Sequence, residues 1–171
     1  MANELKVTKD LENKTLTLER DFDAPKDKVW KAYADKEAFE KWWGPEGWQT
    51  TTLEFNFVSG GRIHYAMKCV DENQADWFGK TEYGVMLIET VDDGNSFSYK
   101  DYFSDEAGTL NQEMPVLTIK NEFIEQDGKT KFVSNSVADS AEQIEQLIQM
   151  GMTEGFSSQL SKLDRIFAEE A

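Results

Sequence analysis

The stretch from Ser140 to Glu169 constrains the fold more than any other part of the chain. Its apolar residues recur at steps of three and four, which places them on one side of an α-helix. These residues are Ile144, Leu147, Ile148, Met152, Phe156, Leu160, Leu163, Ile166 and Phe167. A capping pair marks the start, either Asp139 with Glu142 or Ser140 with Gln143, and no proline interrupts the run. At about 1.5 Å per residue the stretch predicts one helix roughly 40 Å long, whose apolar side must be buried.

Two glycines, Gly151 and Gly155, lie one turn apart on or beside this apolar side. Each weakens a helix interior by about 1 kcal/mol relative to alanine, so we expect something to compensate for them. Either the helix backbone approaches its partner closely at this point, or the missing side chains leave space for a ligand. The sequence leaves both alternatives open.

The composition excludes several classes of partner. The formal charge is −15, from 33 acidic and 18 basic residues. A field of this sign repels phosphate backbones and anionic lipid, so neither nucleic acid nor a membrane surface is an expected partner. The single cysteine, Cys69, excludes an internal disulfide. The first residues contain no apolar signal region, so we expect a cytoplasmic protein, either a monomer or a homodimer.

The hydrophobic period changes along the chain. Alternation in Lys14–Asp23 predicts a first strand, and helical spacing after it predicts two short helices that end at Gly44–Gly47. From Trp48 to Val137 the period is two, and turns such as Asp127-Gly128 predict about six further strands joined mostly by hairpins. We expect one domain over residues 1–171, with residues 1–13 as a loosely attached lead-in.

These elements define a fold class. Hairpin connections make the sheet antiparallel, and the sheet is the only large partner for the apolar side of the C-terminal helix. We therefore predict an α+β helix-grip fold, a curved antiparallel sheet of about seven strands wrapped around the long C-terminal helix, with two short helices after the first strand. Such a sheet and helix leave a cavity between them unless large side chains fill it.

Four segments of the chain resemble a known family. They are RDFDAPKDKVWKAYADKEAFEKWWGPEG, FNFVSGGRIHYAM, GKTKF and MGMTEGFSSQLSKLD. In this order they are similar to the heat-shock-protein-90 ATPase activator homologue family, within the START-like or SRPBCC helix-grip superfamily. The resemblance extends from roughly Lys6 to Phe167 and implies the helix-grip fold. It implies several functions, because this superfamily includes lipid carriers, hormone receptors, cyclases and co-chaperone domains.

The carboxylate of Asp101 is the main candidate for chemistry. Its strand register places it on the same face as Tyr99 and Phe103, and an acid among aromatic rings has a raised pKa and can bind or protonate a ligand. The alternative is that strand twist or a bulge places Asp101 at the open end of the sheet, near water. The hydroxyls of Tyr65, Tyr83 and Tyr99 either reach the same cavity or pack within the core.

Structural roles explain the other conspicuous residues better. His64 points away from the core in this register, so we expect it at the surface or at a sheet edge, and we expect Cys69 as a small buried residue. One histidine and one cysteine give no zinc-binding spacing, so we expect no metal or other cofactor. Gly60-Gly61 is expected to be a hairpin turn. We expect Trp42 to close the core, whereas Trp43 either packs there or lines the cavity.

The leading hypothesis is non-catalytic binding of a small hydrophobic or amphipathic ligand in the cavity between helix and sheet. The predicted lining is Trp43, Phe55, Tyr65, Met67, Tyr99, Asp101, Phe103, Ile148, Met152 and Phe156. The resemblance implies a second hypothesis, a co-chaperone-like module that acts on an Hsp90-type ATPase. The third is a cyclase- or hydrolase-like enzyme that uses Asp101 or His64. It ranks last because the sequence offers no assembled catalytic set.

Overall fold

The computed structural model describes residues 5–113 and 116–170. Within these ranges the chain forms eight strands and four helices. The strands are Lys6–Asp10 (β1), Thr15–Phe22 (β2), Trp48–Phe55 (β3), Arg62–Cys69 (β4), Thr81–Asp92 (β5), Ser96–Ser104 (β6), Thr118–Gln126 (β7) and Lys129–Val137 (β8). The helices are Lys26–Ala34 (α1), Lys36–Trp42 (α2), Ala141–Gln149 (α3) and Met152–Glu170 (α4).

All eight strands join one antiparallel sheet in the order β1-β2-β8-β7-β6-β5-β4-β3. Each strand from β3 to β8 pairs with the next along the chain, as the turn sequences predict. Strand β2 pairs with β8 and thereby brings the start of the chain beside the strand that precedes the C-terminal helices. The helices cover one face of this sheet, so the predicted α+β helix-grip fold is confirmed.

The sheet has one strand more than the sequence predicts. Residues Lys6–Asp10, expected to belong to a loosely attached lead-in, form the edge strand β1 and pair with β2 from Lys6–Glu19 to Asp10–Thr15. The side chains of β1 are almost all exposed, so backbone pairing holds this strand. Hydrophobic periodicity reports burial, and it therefore gives no signal here. Residues Met1 to Glu4 of the predicted lead-in lie outside the described residues.

The C-terminal stretch forms two helices where the sequence predicts one. Ser140 caps α3, and its Oγ accepts a hydrogen bond from the Gln143 backbone N–H at 3.2 Å. Helix α3 ends at Gln149, and Gly151 has a φ of +89°, in the left-handed region that glycine adopts without steric penalty. Helix α4 begins at the next residue. The apolar spacing continues across this break, so periodicity alone predicts an unbroken helix.

The core lies between the sheet and its covering helices. The rings of Tyr33 and Trp42 are buried with centroids 4.9 Å apart, and Trp42 Nε1 donates to the Ala32 carbonyl at 2.8 Å. This environment fits the packing role expected of Trp42. The buried guanidinium of Arg20 on β2 forms an ion pair with Asp164 on α4. Helix α4 is therefore fixed to the sheet by charge as well as by apolar contact.

Candidate ligand-binding site

A cavity of about 300 Å³ lies between the sheet and the C-terminal helices. Strands β4, β6 and β7 form one wall, and the break between α3 and α4 forms another. Most of its lining residues are apolar or aromatic. They are Trp43, Pro45, Tyr65, Met67, Tyr99, Asp101, Phe103, Leu117, Ile119, Leu147, Met150, Gly151, Met152, Gly155, Phe156 and Gln159.

The main polar feature of the cavity is a hydrogen bond between β4 and β6, which are separated by one strand in the sheet. The Tyr65 hydroxyl on β4 donates to Asp101 Oδ1 on β6 at 2.9 Å. Strand β5 lies between them, and the Tyr65 ring crosses it at Gly84, where an added Cβ would be 2.3 Å from the phenol. Only glycine leaves this path open. An isolated glycine within the predicted strand Lys80–Thr90 is the sequence signal of such a close approach.

Burial gives Asp101 an unusual protonation equilibrium. Its side chain is half-buried on the cavity wall, on the face that the strand register predicts. Burial raises the pKa of Asp101 to about 7, and the hydrogen bond from Tyr65 acts in the opposite direction. Burial, followed by the nearby Asp101 charge, holds the pKa of Tyr65 well above its usual range. Tyr65 therefore remains a donor at every physiological pH, while Asp101 exchanges its proton near neutrality.

The helical wall supplies an amide side chain and two glycines. Gln159 on α4 is only 8% exposed and lines the cavity. A Cβ added at Gly155 would meet nothing within 4 Å, and one at Gly151 would meet only Glu154 Oε2, at 4.0 Å. Of the two alternatives for the glycines, the structure shows open space beside the cavity.

The structure brings eight of the ten predicted lining residues to the cavity wall. Phe55 is not among them, because its ring packs on Phe39 with centroids 5.8 Å apart. Ile148 is not among them either. Helix α3 ends at Gln149 and does not continue into α4, and from this last turn of α3 it is Leu147 that lines the cavity. That the wall residues bind a ligand stays a prediction.

Sequence reasoning missed further wall residues, among them Leu117, Ile119 and Gln159. Leu117 directly precedes β7 and Ile119 lies in it, and the alternation of that strand could have indicated Ile119. Gln159 is polar, and on a helix such a side chain is normally expected to face water. No signal in the sequence indicated that it is buried.

His64 and Tyr83 lie on the opposite face of the sheet. His64 points away from the cavity as predicted, but the predicted exposure is wrong, because the side chain is only 4% exposed. Its Nε2 lies 3.1 Å from the carbonyl oxygen of Asp105, in the loop after β6 that covers it. The Tyr83 ring lies 6.2 Å from the His64 ring, so its hydroxyl does not reach the cavity. His64 and Asp101 therefore cannot act on one bound molecule.

Cys69 is fully buried at the end of β4, as expected of a small core residue. Across the described parts of the chain, no group of three or more His, Cys, Asp or Glu side chains is arranged to hold a metal ion. In the same ranges, no helix combines the length and apolar character needed to cross a bilayer.

An antiparallel sheet closed over C-terminal helices, with an apolar cavity between them, defines a helix-grip domain of the SRPBCC type. The sequence profile of one family of such domains, described as "Activator of Hsp90 ATPase homolog 1-like protein", matches residues 23–168. The chain belongs to this family, and the resemblance found in the sequence is confirmed.

Solved structures share this fold over nearly their whole length. Protein Ms6760 from Mycobacterium smegmatis is 34% identical, with a TM-score of 0.82 over 95% of this chain and 96% of that chain. A protein from Arthrobacter aurescens is 27% identical, with a TM-score of 0.85 over 96% and 91% of the two chains. One from Staphylococcus epidermidis is 28% identical, with a TM-score of 0.81 over 97% and 95%. No curated protein matches the sequence.

Proposed function

We propose that the protein binds a small apolar or amphipathic molecule, without catalysis, in the cavity between the sheet and the C-terminal helices. The observation that supports this function is the cavity itself, about 300 Å³ with a mainly apolar and aromatic lining. This volume is at the small end of the range for ligand sites. Burial of about 200 Å² of apolar ligand surface supplies about 5 kcal/mol, before the entropy cost of association.

The lining favours binding over catalysis. Asp101 can take up or release a proton, but no serine, threonine, cysteine, histidine or lysine lines the cavity among the residues that the structure describes. The described wall therefore lacks the pairing of a serine, threonine, cysteine or lysine nucleophile with a histidine base that many covalent enzymes use. The wall offers a surface that excludes water and a small set of polar groups that can orient a guest.

Filling the cavity tests this function. We expect the neutral fluorescent probe N-phenyl-1-naphthylamine to bind the unaltered protein with a rise in emission. Gly155→Leu places a side chain into the open space and should weaken binding about tenfold or more, because a steric penalty of about 1.4 kcal/mol equals tenfold in Kd. Fluorescence titration measures Kd for each variant.

The matched control is Ala168→Leu, which adds a leucine to the same helix at an exposed position outside the cavity lining. It should bind the probe like the unaltered protein. Thermal unfolding would show that both variants fold. Equal affinity in Gly155→Leu and Ala168→Leu would place the probe outside the cavity and contradict the proposal, as would the absence of binding to the unaltered chain.

The family description favours a second candidate function, contact with an Hsp90-type ATPase. If this candidate function holds, addition of this protein should raise the rate of ATP turnover by purified Hsp90 in a concentration-dependent way, and the two proteins should copurify. An action through the outer surface would survive Gly155→Leu, whereas an action through the cavity would not. An unchanged turnover rate in the presence of excess protein would remove this candidate.

A further inference from the structure

The cavity contains one acid and no base. Asp101 is the only lining residue that can carry a charge near neutral pH, and no lysine, arginine or histidine is among the described residues of the wall. Its Oδ1 accepts the hydrogen bond from Tyr65, and no cationic side chain of residues 5–113 and 116–170 forms an ion pair with it. A carboxylate in apolar surroundings is unfavourable unless a cation neutralises it.

The lysine on the helical wall's own helix is engaged elsewhere. Lys162 on α4 directs its Nζ at two backbone carbonyls, that of Gly44 at 3.2 Å and that of Trp48 at 3.5 Å. It is not part of the cavity lining. Among the described residues, burial and the Tyr65 hydrogen bond act on the Asp101 carboxyl, and no cationic side chain neutralises it.

Aromatic rings line the same cavity as the acid. Trp43, Tyr65, Tyr99, Phe103 and Phe156 all line the cavity, and the rings of Trp43 and Tyr65 are 5.7 Å apart in an edge-to-face arrangement. Ring faces carry partial negative charge and attract cations placed within about 6 Å. An acid among such rings has the composition of a site for an organic cation.

Two further features point in the same direction. Gln159 is 8% exposed, and its side-chain oxygen can serve as a neutral acceptor on the helical wall. The net charge of −15 raises the local concentration of cations around the whole molecule and lowers that of anions.

We propose that the molecule bound in this cavity is an apolar amine in its protonated form, whose cationic N–H lies against the Asp101 carboxylate within the aromatic wall. This inference rests on the proposed binding function and names the chemical class of its ligand. The oxygen of Asp101 that Tyr65 does not engage accepts the N–H, and the apolar body of the amine fills the volume beside Gly151 and Gly155.

Binding of such an amine depends on pH through Asp101. The titratable groups that face Asp101 are Tyr65 from β4 and Tyr99 from its own strand, while β7 and α4 contribute Ile119 and Gln159, which do not titrate. Because the amine binds the ionised acid and the pKa of Asp101 is about 7, affinity should fall about 30-fold from about pH 8 to about pH 5.5.

Three probes with one apolar body test the inference: 1-naphthylmethylammonium, 1-naphthylmethanol and 1-naphthoate. Titration calorimetry at about pH 8 gives Kd for each. We expect the ammonium probe to bind at least about tenfold more tightly than the alcohol, since its donor carries a positive charge opposite the carboxylate, and the naphthoate to bind most weakly. Asp101→Asn should remove this preference, so that the ammonium probe and the alcohol bind with similar affinity.

Asp76→Asn is the matched control, because it makes the same change in an exposed loop outside the cavity lining and should keep the preference. The pH series on the unaltered protein tests the same assignment without a substitution, since only the ammonium probe should lose affinity in acid. Similar affinity for all three probes would overturn the inference and leave the proposed function intact. A preference that persists in Asp101→Asn would also overturn it. Absence of binding by every probe would overturn both.

Discussion

Protonation of the Asp101 side chain is coupled to the stability of the fold. Its pKa is about 7 in the folded protein, against 3.8 for an unperturbed aspartate. The folded state therefore binds this proton more tightly than the unfolded state. The contribution to stability is complete below about pH 4, decreases as the pH rises, and is lost above about pH 7.

Asp101→Asn should remove this dependence. We predict that the variant and the unaltered protein have similar free energies of unfolding at about pH 4, and that the variant is more stable at about pH 8, by at most about 4 kcal/mol. Urea unfolding at several pH values measures the difference. Asp76→Asn removes the same charge from an exposed loop and is the control for net charge. A difference between Asp101→Asn and the unaltered protein that does not change with pH would contradict the burial argument.

Gly84 should resist substitution because of Tyr65. Gly84→Ala places a Cβ 2.3 Å from the phenol, and we expect a loss of about 1–3 kcal/mol in the free energy of unfolding. In a Tyr65→Ala background the same change should cost much less, because the clashing ring is absent. A double-mutant cycle by chemical unfolding measures this coupling. Equal losses in both backgrounds would mean that Tyr65 is not the obstacle.

At the scale of elements, the C-terminal helices offer two glycines with opposite expected behaviour. Gly151→Ala should lower the free energy of unfolding by about 1–2 kcal/mol, because alanine at a φ of +89° is strained. Gly155→Ala should raise it by up to about 1 kcal/mol, because Gly155 is within α4 and its Cβ would meet open space. Thermal unfolding of both variants gives the signs. A shared sign would contradict the placement of the helix break at Gly151.

Sequence periodicity predicted the face on which a residue lies, but not what else covers that face. The alternation of β4 and β6 placed Tyr65 and Asp101 on the helix side of the sheet, where the structure has them. His64 also lies on its predicted face, yet it is buried by a loop 41 residues away, and no local pattern encodes that contact. Periodicity did not predict the break at Gly151 for a related reason, since the apolar spacing continues across it. Local patterns report orientation, and long-range packing supplies the rest.

At the scale of the whole molecule, the charge of −15 acts against the fold. We predict that the unfolding temperature at about pH 8 rises when NaCl increases from about 10 mM to about 150 mM, as the Debye length falls from about 30 Å to about 8 Å. Differential scanning calorimetry measures the shift. Near the isoelectric point of about 4.4 the rise should disappear. An equal rise at both pH values would assign the effect of salt to a cause other than repulsion between charges.

The break at Gly151 also allows α3 to open independently of α4. Helix α3 has nine residues, too few to be stable without tertiary contacts, and only Ile144 and Leu147 of this helix are buried. We expect α3 to open locally while α4 stays folded, so amide hydrogens in α3 should exchange with solvent much faster than those in the middle of α4. Leu147 is a wall of the cavity, so each opening of α3 uncovers it. Under the proposed binding function, we expect the residence time of a ligand to follow the detachment of this short helix, without unfolding of the domain.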